Sequence, residues 1–234
     1  MLKPKSKGML LVLLVAAVMI SAGGFATASN TGFKINKALA IAGTGEIGNN
    51  WLSIPYFNPY SNWAGFCTAT GLISSGLTRA TITFQDPITG NFGAATQCGS
   101  AGAPGVLLPA GVGFRVRNAG TGAPTSIIIV GSHNPVTTFT AQNTAGGGQR
   151  GSSWFAVPYH TTAVTANDLC LSSGLTSSGL NRANIIRFDA TTGTPSAAGS
   201  CGSASASAIT LQLGEAVRIR EVPGTVKTFV PAHF

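Results

Sequence analysis

Arginines stand at matching places in two stretches of this 234-residue chain: Arg79, Arg115 and Arg117 in the first, Arg182, Arg218 and Arg220 in the second. Guanidinium groups at alternate strand positions can grip the carboxylates or phosphates of an acidic polymer, or an acidic neighbouring subunit. The plainer reading is charge kept on a solvated strand face, where it discourages unwanted edge pairing. Asp86 and Asp189 stand where they could pair with Arg79 and Arg182 across a turn. Trp51 and Trp154 invite stacking on a sugar ring, but a large aromatic that opens an apolar strand more often fills a small core. Tyr56 and Tyr159 each follow a proline, which confines their strand to an edge or a bulge.

The remaining reactive side chains define no catalyst. His133 and His233 end the two stretches at equivalent positions, and His160 answers to Phe57. A single imidazole with no acidic cluster makes no metal site, and a structural hydrogen bond is the expected role. Serines are plentiful, yet there is no Gly-x-Ser-x-Gly elbow and no repeated His-acid-Ser set, so no catalytic residue and no cofactor is assigned. Four cysteines allow three pairings. Cys67 and Cys98 recur as Cys170 and Cys201, and duplication favours bridging within each pair. A bridge closing about 30 residues would stabilise an exported domain by about 3 to 4 kcal/mol. Metal thiolates or a redox pair fit less well, because there is no CxxC and no His or acid recurs beside both members.

These residues are carried by one module used twice. A shift of 103 residues aligns Trp51–Arg117 with Trp154–Arg220 without a gap, at about 40% identity. Ser74-Ser75-Gly76-Leu77 falls on Ser177-Ser178-Gly179-Leu180, and with a short gap Val130–His133 falls on Val230–His233. The expected organisation is a leader over 1–28, an N-terminal strand segment over 29–48, a first module over 49–133, a connector over 134–151 and a second module over 152–234.

Within each module the hydrophobic period is two. Gly113–Arg117 and Ala216–Arg220 alternate apolar and basic residues, which predicts half-buried strands with the arginines outward. Further strands are expected at 51–56, 80–84, 105–108 and 126–130. The segments Asp86–Gly90 and Asp189–Gly193 read as tight turns. Helix is expected only near 60–69 and 161–171, with Asn167-Asp168 as a cap. The fold class predicted is all-β: two tandem, duplicated, small antiparallel β-sandwich or barrel modules, each with one disulfide.

Composition narrows the function. Only 9% of residues are charged and 44% are hydrophobic, which excludes a disordered chain; the positive charge forms no basic run, which argues against nucleic acid. Lys3, Lys5 and Lys7, the apolar run 9–20 and Ala26-Thr27-Ala28 read as a secretory signal peptide cleaved after Ala28. Membrane contact is then limited to that leader. Its removal lowers the net charge from +8 to +5.

The segment behind the leader alternates too, with Phe33, Ile35, Leu39 and Ile41 on one face, and the repeat leaves it outside both modules. The chain continues past His133 into a strand-like stretch but stops just after His233, so the second module is expected to lack a strand. These facts suggest β-strand addition, in which the N-terminal strand of one molecule completes the last module of the next. The plainer alternative is that 33–41 packs on its own first module. A sparsely charged Gly-, Ser-, Thr- and Ala-rich surface also does little to keep copies apart.

The pattern Trp-x-x-(Ile/Val)-Pro-Tyr, Cys, Asp-x-x-Thr-Gly, Cys-Gly, Arg-(Val/Ile)-Arg and a closing Val-x-x-His resembles a repeated β-module of secreted bacterial surface proteins of unassigned role. The resemblance implies an extracellular module and carries over no catalytic or binding residues. The leading expectation is therefore a non-enzymatic, secreted structural protein. It would be the subunit of an extracellular filament or surface layer, with itself as head-to-tail partner. The alternative is a monomeric module that binds a surface glycan or polyanion through Arg79, Arg115, Arg117, Arg182, Arg218 and Arg220.

Overall fold

A computed structural model describes residues 32–43, 48–54, 58–86, 89–132, 138–141, 151–157, 161–222 and 225–231, with Phe33 described by its backbone alone. The segment 1–28 expected to be a signal peptide, Tyr56, Tyr159 and the three histidines lie outside these residues.

Two copies of the same strand order build the chain. The first comprises β1 (Phe33–Ala38), β2 (Asn49–Ser53), helix α1 (Trp63–Thr70), β3 (Thr81–Thr83), β4 (Thr96–Gln97), β5 (Gly113–Arg117) and β6 (Ser126–Gly131). The second comprises β7 (Phe139–Ala141), β8 (Ser153–Ala156), α2 (Ala166–Ser172), β9 (Asn184–Phe188), β10 (Pro195–Ser200), the single turn α3 (Ala204–Ser207), β11 (Ala216–Arg220) and β12 (Lys227–Phe229). Each copy has an antiparallel four-stranded sheet, ordered β2-β5-β3-β4 or β10-β9-β11-β8, and a two-stranded ribbon, β1-β6 or β12-β7.

Sheet, ribbon and helix close over one apolar core in each module. In the first, Leu52, Ile82, Phe114 and Val116 of the sheet meet Ile127 and Ile129 of β6, Ile35 of β1, and Trp63 and Phe66 of α1. The second copy has Ala163, Ala166 and Leu169 where the first has Tyr60, Trp63 and Phe66. The lost volume is refilled from the strand side, where Phe139 packs on Phe155 and Phe229 with ring centroids 4.9 and 5.6 Å apart. Close packing demands this compensation, since a core left short of three aromatic rings would hold a cavity.

Disulfides join Cys67 to Cys98 and Cys170 to Cys201, each spanning 31 residues and tying the helix to the turn behind β4 or β10. The Cys-Gly pair that follows is equally constrained. Gly99 and Gly202 adopt φ of +68° and +73°, and a Cβ on either would collide with the carbonyl oxygen of Ser74 or Ser177. The turn thus braces the Ser-Ser-Gly-Leu loop, whose tips Leu77 and Leu180 are fully exposed.

Several expectations are corrected. Residues 105–108 form no strand: a 3-10 turn, Ala103–Gly105, leads into a single bridge between Leu107 and Asn62. Strands β4 and β10, weakly apolar, escape a period-two reading. The second module lacks no strand, because β7 pairs with β12 as β1 pairs with β6. The N-terminal strand is therefore the counterpart of the connector strand: Ile35 lies opposite Ile129 as Phe139 lies opposite Phe229.

The caps also differ from expectation. Asn62 caps α1 by accepting from Gly65 N–H, and Thr165 caps α2 in a reciprocal box with Asp168. Asn167 instead accepts from Gly202 N–H at 2.9 Å. The Asp168 carboxyl is held below its ordinary range, first by the Thr165 N–H and then by the Thr165 hydroxyl. Its stabilising contribution is therefore present above the unfolded value of about 3.9 and is lost as pH falls through the lower folded value. Thr165→Ala should cost about 1 kcal/mol at pH 7, measured by thermal unfolding.

Candidate functional site

Residues 32–234 fold as one compact unit, and the two modules meet along a seam with pseudo-twofold symmetry. Leu52 bridges Glu215, and the positions 103 residues away, Phe155 and Val112, bridge in the same way. Ser53 N–H donates to Gly214 O at 3.4 Å and its counterpart, Ala156 N–H, to Gly111 O at 3.2 Å. Near the pseudo-axis Trp51 stacks on Trp154, with centroids 5.7 Å apart and planes 21° from parallel. A Cβ on Gly113 would collide with Ala216 Cβ and come within 2.8 Å of Trp154 Cβ, so only one of these two equivalent positions can carry a methyl group. Both tryptophans are buried, as expected, but they seal the seam between the modules instead of filling the separate cores.

A cleft opens on each side of the seam, and the two clefts are unlike. One, of about 570 Å³, runs between Lys37–Ala40 of β1 and its continuation, Asn50 and Trp51 of β2, Arg187–Thr191 of β9 and its turn, and Glu215. The other, of about 120 Å³, is lined by Gln85, Val112, Ser153 and Trp154, which answer by the same shift to Phe188, Glu215, Asn50 and Trp51. In the small cleft Trp154 Nε1–H donates to Gln85 Oε1 at 2.6 Å. In the large one Phe188 replaces that glutamine and stacks on Trp51 at 4.8 Å, and Trp51 Nε1 is buried with no partner among the described residues.

The large cleft is also charged. Arg187 Nε donates to Glu215 Oε1 at 3.0 Å, an ion pair whose carboxylate is 6% exposed. Glu215 Oε2 is buried and has no partner among the described residues. Burial in the cleft pushes the Lys37 ammonium below its usual range, outweighing the attraction of Glu215, and the charge of Arg187 adds to the effect. Asn50 fixes the rim: its side chain accepts from Ala40 N–H at 2.8 Å and donates to Ala40 O and Gly48 O at 2.9 and 3.0 Å. Asp189 is committed to its own turn, accepting from Thr191 and Thr192 N–H at 2.8 Å each, which holds its carboxyl below the ordinary range.

The arginines singled out by the sequence do not converge on one anion site. Arg79 and Arg182 donate to Gly76 O and Gly179 O and so buttress the Leu77 and Leu180 loops, and the pairings expected with Asp86 and Asp189 are replaced by these bonds and by the turns' own. Arg115 and Arg218 lie over the rings of Phe92 and Phe188 at 3.9 and 4.8 Å. Burial, then the neighbouring charge of Arg220, pushes Arg218 down to about 10, and Arg115 is lowered by burial. Arg117 is exposed. Of the residues expected to form an assembly strand, Ile35 and Leu39 are buried in the core of the chain's own first module, the packing of the plainer alternative, and Ile41 is half-buried.

Lys37, Arg187 and Glu215 were not singled out by residue type. The signal for two of them was present in the repeat: Arg187 and Glu215 carry charge where the first copy has Phe84 and Val112.

Fold and seam define a class, the tandem-duplicated, disulfide-stapled β-module protein whose two copies pack as an internal pseudo-dimer. No protein-family model, curated protein or solved structure matches this chain.

Proposed function

We propose that the protein is a secreted structural protein, the subunit of an extracellular filament or surface layer joined by β-strand exchange. The observation that carries this reading is the placement of the completing strands. Each module takes its ribbon partner from the segment that precedes it, and β1, the first strand, pairs with β6 alone, in a continuous register from Phe33↔Gly131 to Ala38↔Ser126. The same pairs form when β1 of one copy lies on β6 of the next, so exchange conserves the ladder and changes only which chain supplies it. A head-to-tail exchange that does not close propagates as a fibre.

Other features are consistent with this reading. The two disulfides suit an oxidising compartment. No helix among the described residues is long and apolar enough to cross a membrane. Binding of a polyanion through the arginines is less favoured, since Arg79 and Arg182 are spent on loop carbonyls and Arg115 and Arg218 lie over aromatic rings.

The test joins β1 to β6 covalently. Lys34→Cys with Val130→Cys places a thiol at each of two facing positions in the ladder. After oxidation of the exported protein, strand exchange yields a ladder of cross-linked oligomers on a non-reducing gel and fibres in negative-stain electron microscopy. Cross-linked monomers alone overturn the reading. A chain lacking residues 29–42 should give single particles, and a synthetic 32–42 peptide supplied in trans should cap it.

A further inference from the structure

We propose that the large cleft beside the seam is a binding site for a neutral, hydroxyl-rich ligand, a single sugar residue, held between Glu215 and Lys37. The inference rests on the contrast between the two clefts that duplication produced, and because β1 supplies Lys37 it holds for whichever copy's β1 lies on β6. One has closed to about 120 Å³ and satisfies its indole through Gln85. The other has about 570 Å³, a size typical of small-molecule sites, and holds polar groups that have no partner among the described residues.

Those groups dictate the ligand's chemistry. Glu215, nine-tenths buried, has one carboxylate oxygen occupied by Arg187 and one without a donor among the described residues. Lys37, half-buried, lines the same cleft, and its ammonium makes no hydrogen bond among the described residues. Trp51, which lines the same cleft, has an indole N–H without an acceptor among the described residues. Buried polar groups are normally paired, and an unpaired one carries a cost that a ligand can relieve. A group that both donates and accepts is required, and the hydroxyl is the simplest group that does both. Lys37 and Arg187 balance Glu215 and Asp189, so the cleft favours a ligand without net charge.

Position supports the same conclusion. Ligand sites concentrate where two domains meet, and here three separate segments are held in place. Asn50 pins the exit of β1, Asp189 fixes its turn, and Gly214 gives Ile35 room to approach, since a Cβ there would come within 3.0 Å of Ile35 Cγ2.

Titration of glucose, galactose, N-acetylglucosamine and glucuronate into the folded oxidised protein, followed by tryptophan fluorescence and saturation-transfer NMR, tests the site. Saturable binding of at least one neutral sugar is expected, and Lys37→Met, which keeps the aliphatic stem, should weaken it at least tenfold without moving the melting temperature. Gln85→Leu, in the small cleft, should leave binding unchanged. Absence of saturable binding, binding of glucuronate alone, or a Lys37→Met protein that binds as the parent does would each overturn the proposal. Should Lys37→Met lower the melting temperature, Lys37→Gln, isosteric along most of the stem, gives the same reading of the ammonium.

Discussion

Truncating Trp154 to alanine is expected to cost about 3 to 5 kcal/mol, the range for removing a buried large aromatic. The residue is 5% exposed, stacks on Trp51, packs on Phe188 at 5.3 Å and donates to Gln85. The loss falls at the seam and not in either core, so its signature should differ from that of an ordinary core mutation. The parent should unfold in one transition because the modules share the Trp51–Trp154 contact and the Gly113–Ala216 approach. With the seam emptied, urea unfolding followed by circular dichroism should broaden or divide into two steps, one for each disulfide-stapled module. A loss below about 1 kcal/mol with the transition still single would mean that the seam does not couple the modules.

Removing either disulfide should have an effect nearly as large. Each bridge closes a loop between cysteines 31 residues apart, and the chain-entropy relation places its contribution near 3 to 4 kcal/mol. Cys67→Ala with Cys98→Ala also leaves a small void, since both cysteines belong to the first module's core cluster. Modules of this size bury too little apolar surface to absorb such a loss easily. The expected outcome is a lowered urea midpoint for the variant and a larger loss in the parent under strong reductant, which opens both bridges. Unchanged midpoints in both experiments would show that the cores hold without their staples.

The repeat made much of the fold legible. An ungapped shift of 103 residues, with Cys67, Cys98, Cys170 and Cys201 in register, is a statement about covalent topology, because equivalent cysteines in equivalent modules find equivalent partners. The alternation in Phe114-Arg115-Val116-Arg117 and its counterpart marked β5 and β11, since a strand exposes alternate side chains to opposite sides. Weakly apolar strands carry no such signal. Thr96–Gln97 and Pro195–Ser200 are strands because β3 and β9 offer them a ladder, and a partner's backbone is invisible in the sequence of the strand that joins it.

The candidate site was legible only in part. A repeat comparison sees identities, whereas the site lies where the copies differ: Phe84 against Arg187, Gln85 against Phe188, Val112 against Glu215. Each difference alone is an ordinary substitution. Together they form a site because the seam brings β9 and the start of β11 against β1 and β2 of the other module.

The sequence by itself determined that there are two modules, that each is stapled once, and that their strands alternate. These properties are local or are repeated along the chain, and period and spacing record them directly. Tertiary structure alone decided that β1 and β7 play the same part, that the repeated tryptophans meet each other, and that one of two sister clefts stayed open and charged. Those outcomes depend on which surfaces touch. Contact between residues more than a hundred positions apart is set by the packing of whole modules, where room for one methyl group between Gly113 and Ala216 is enough to fix how the halves meet.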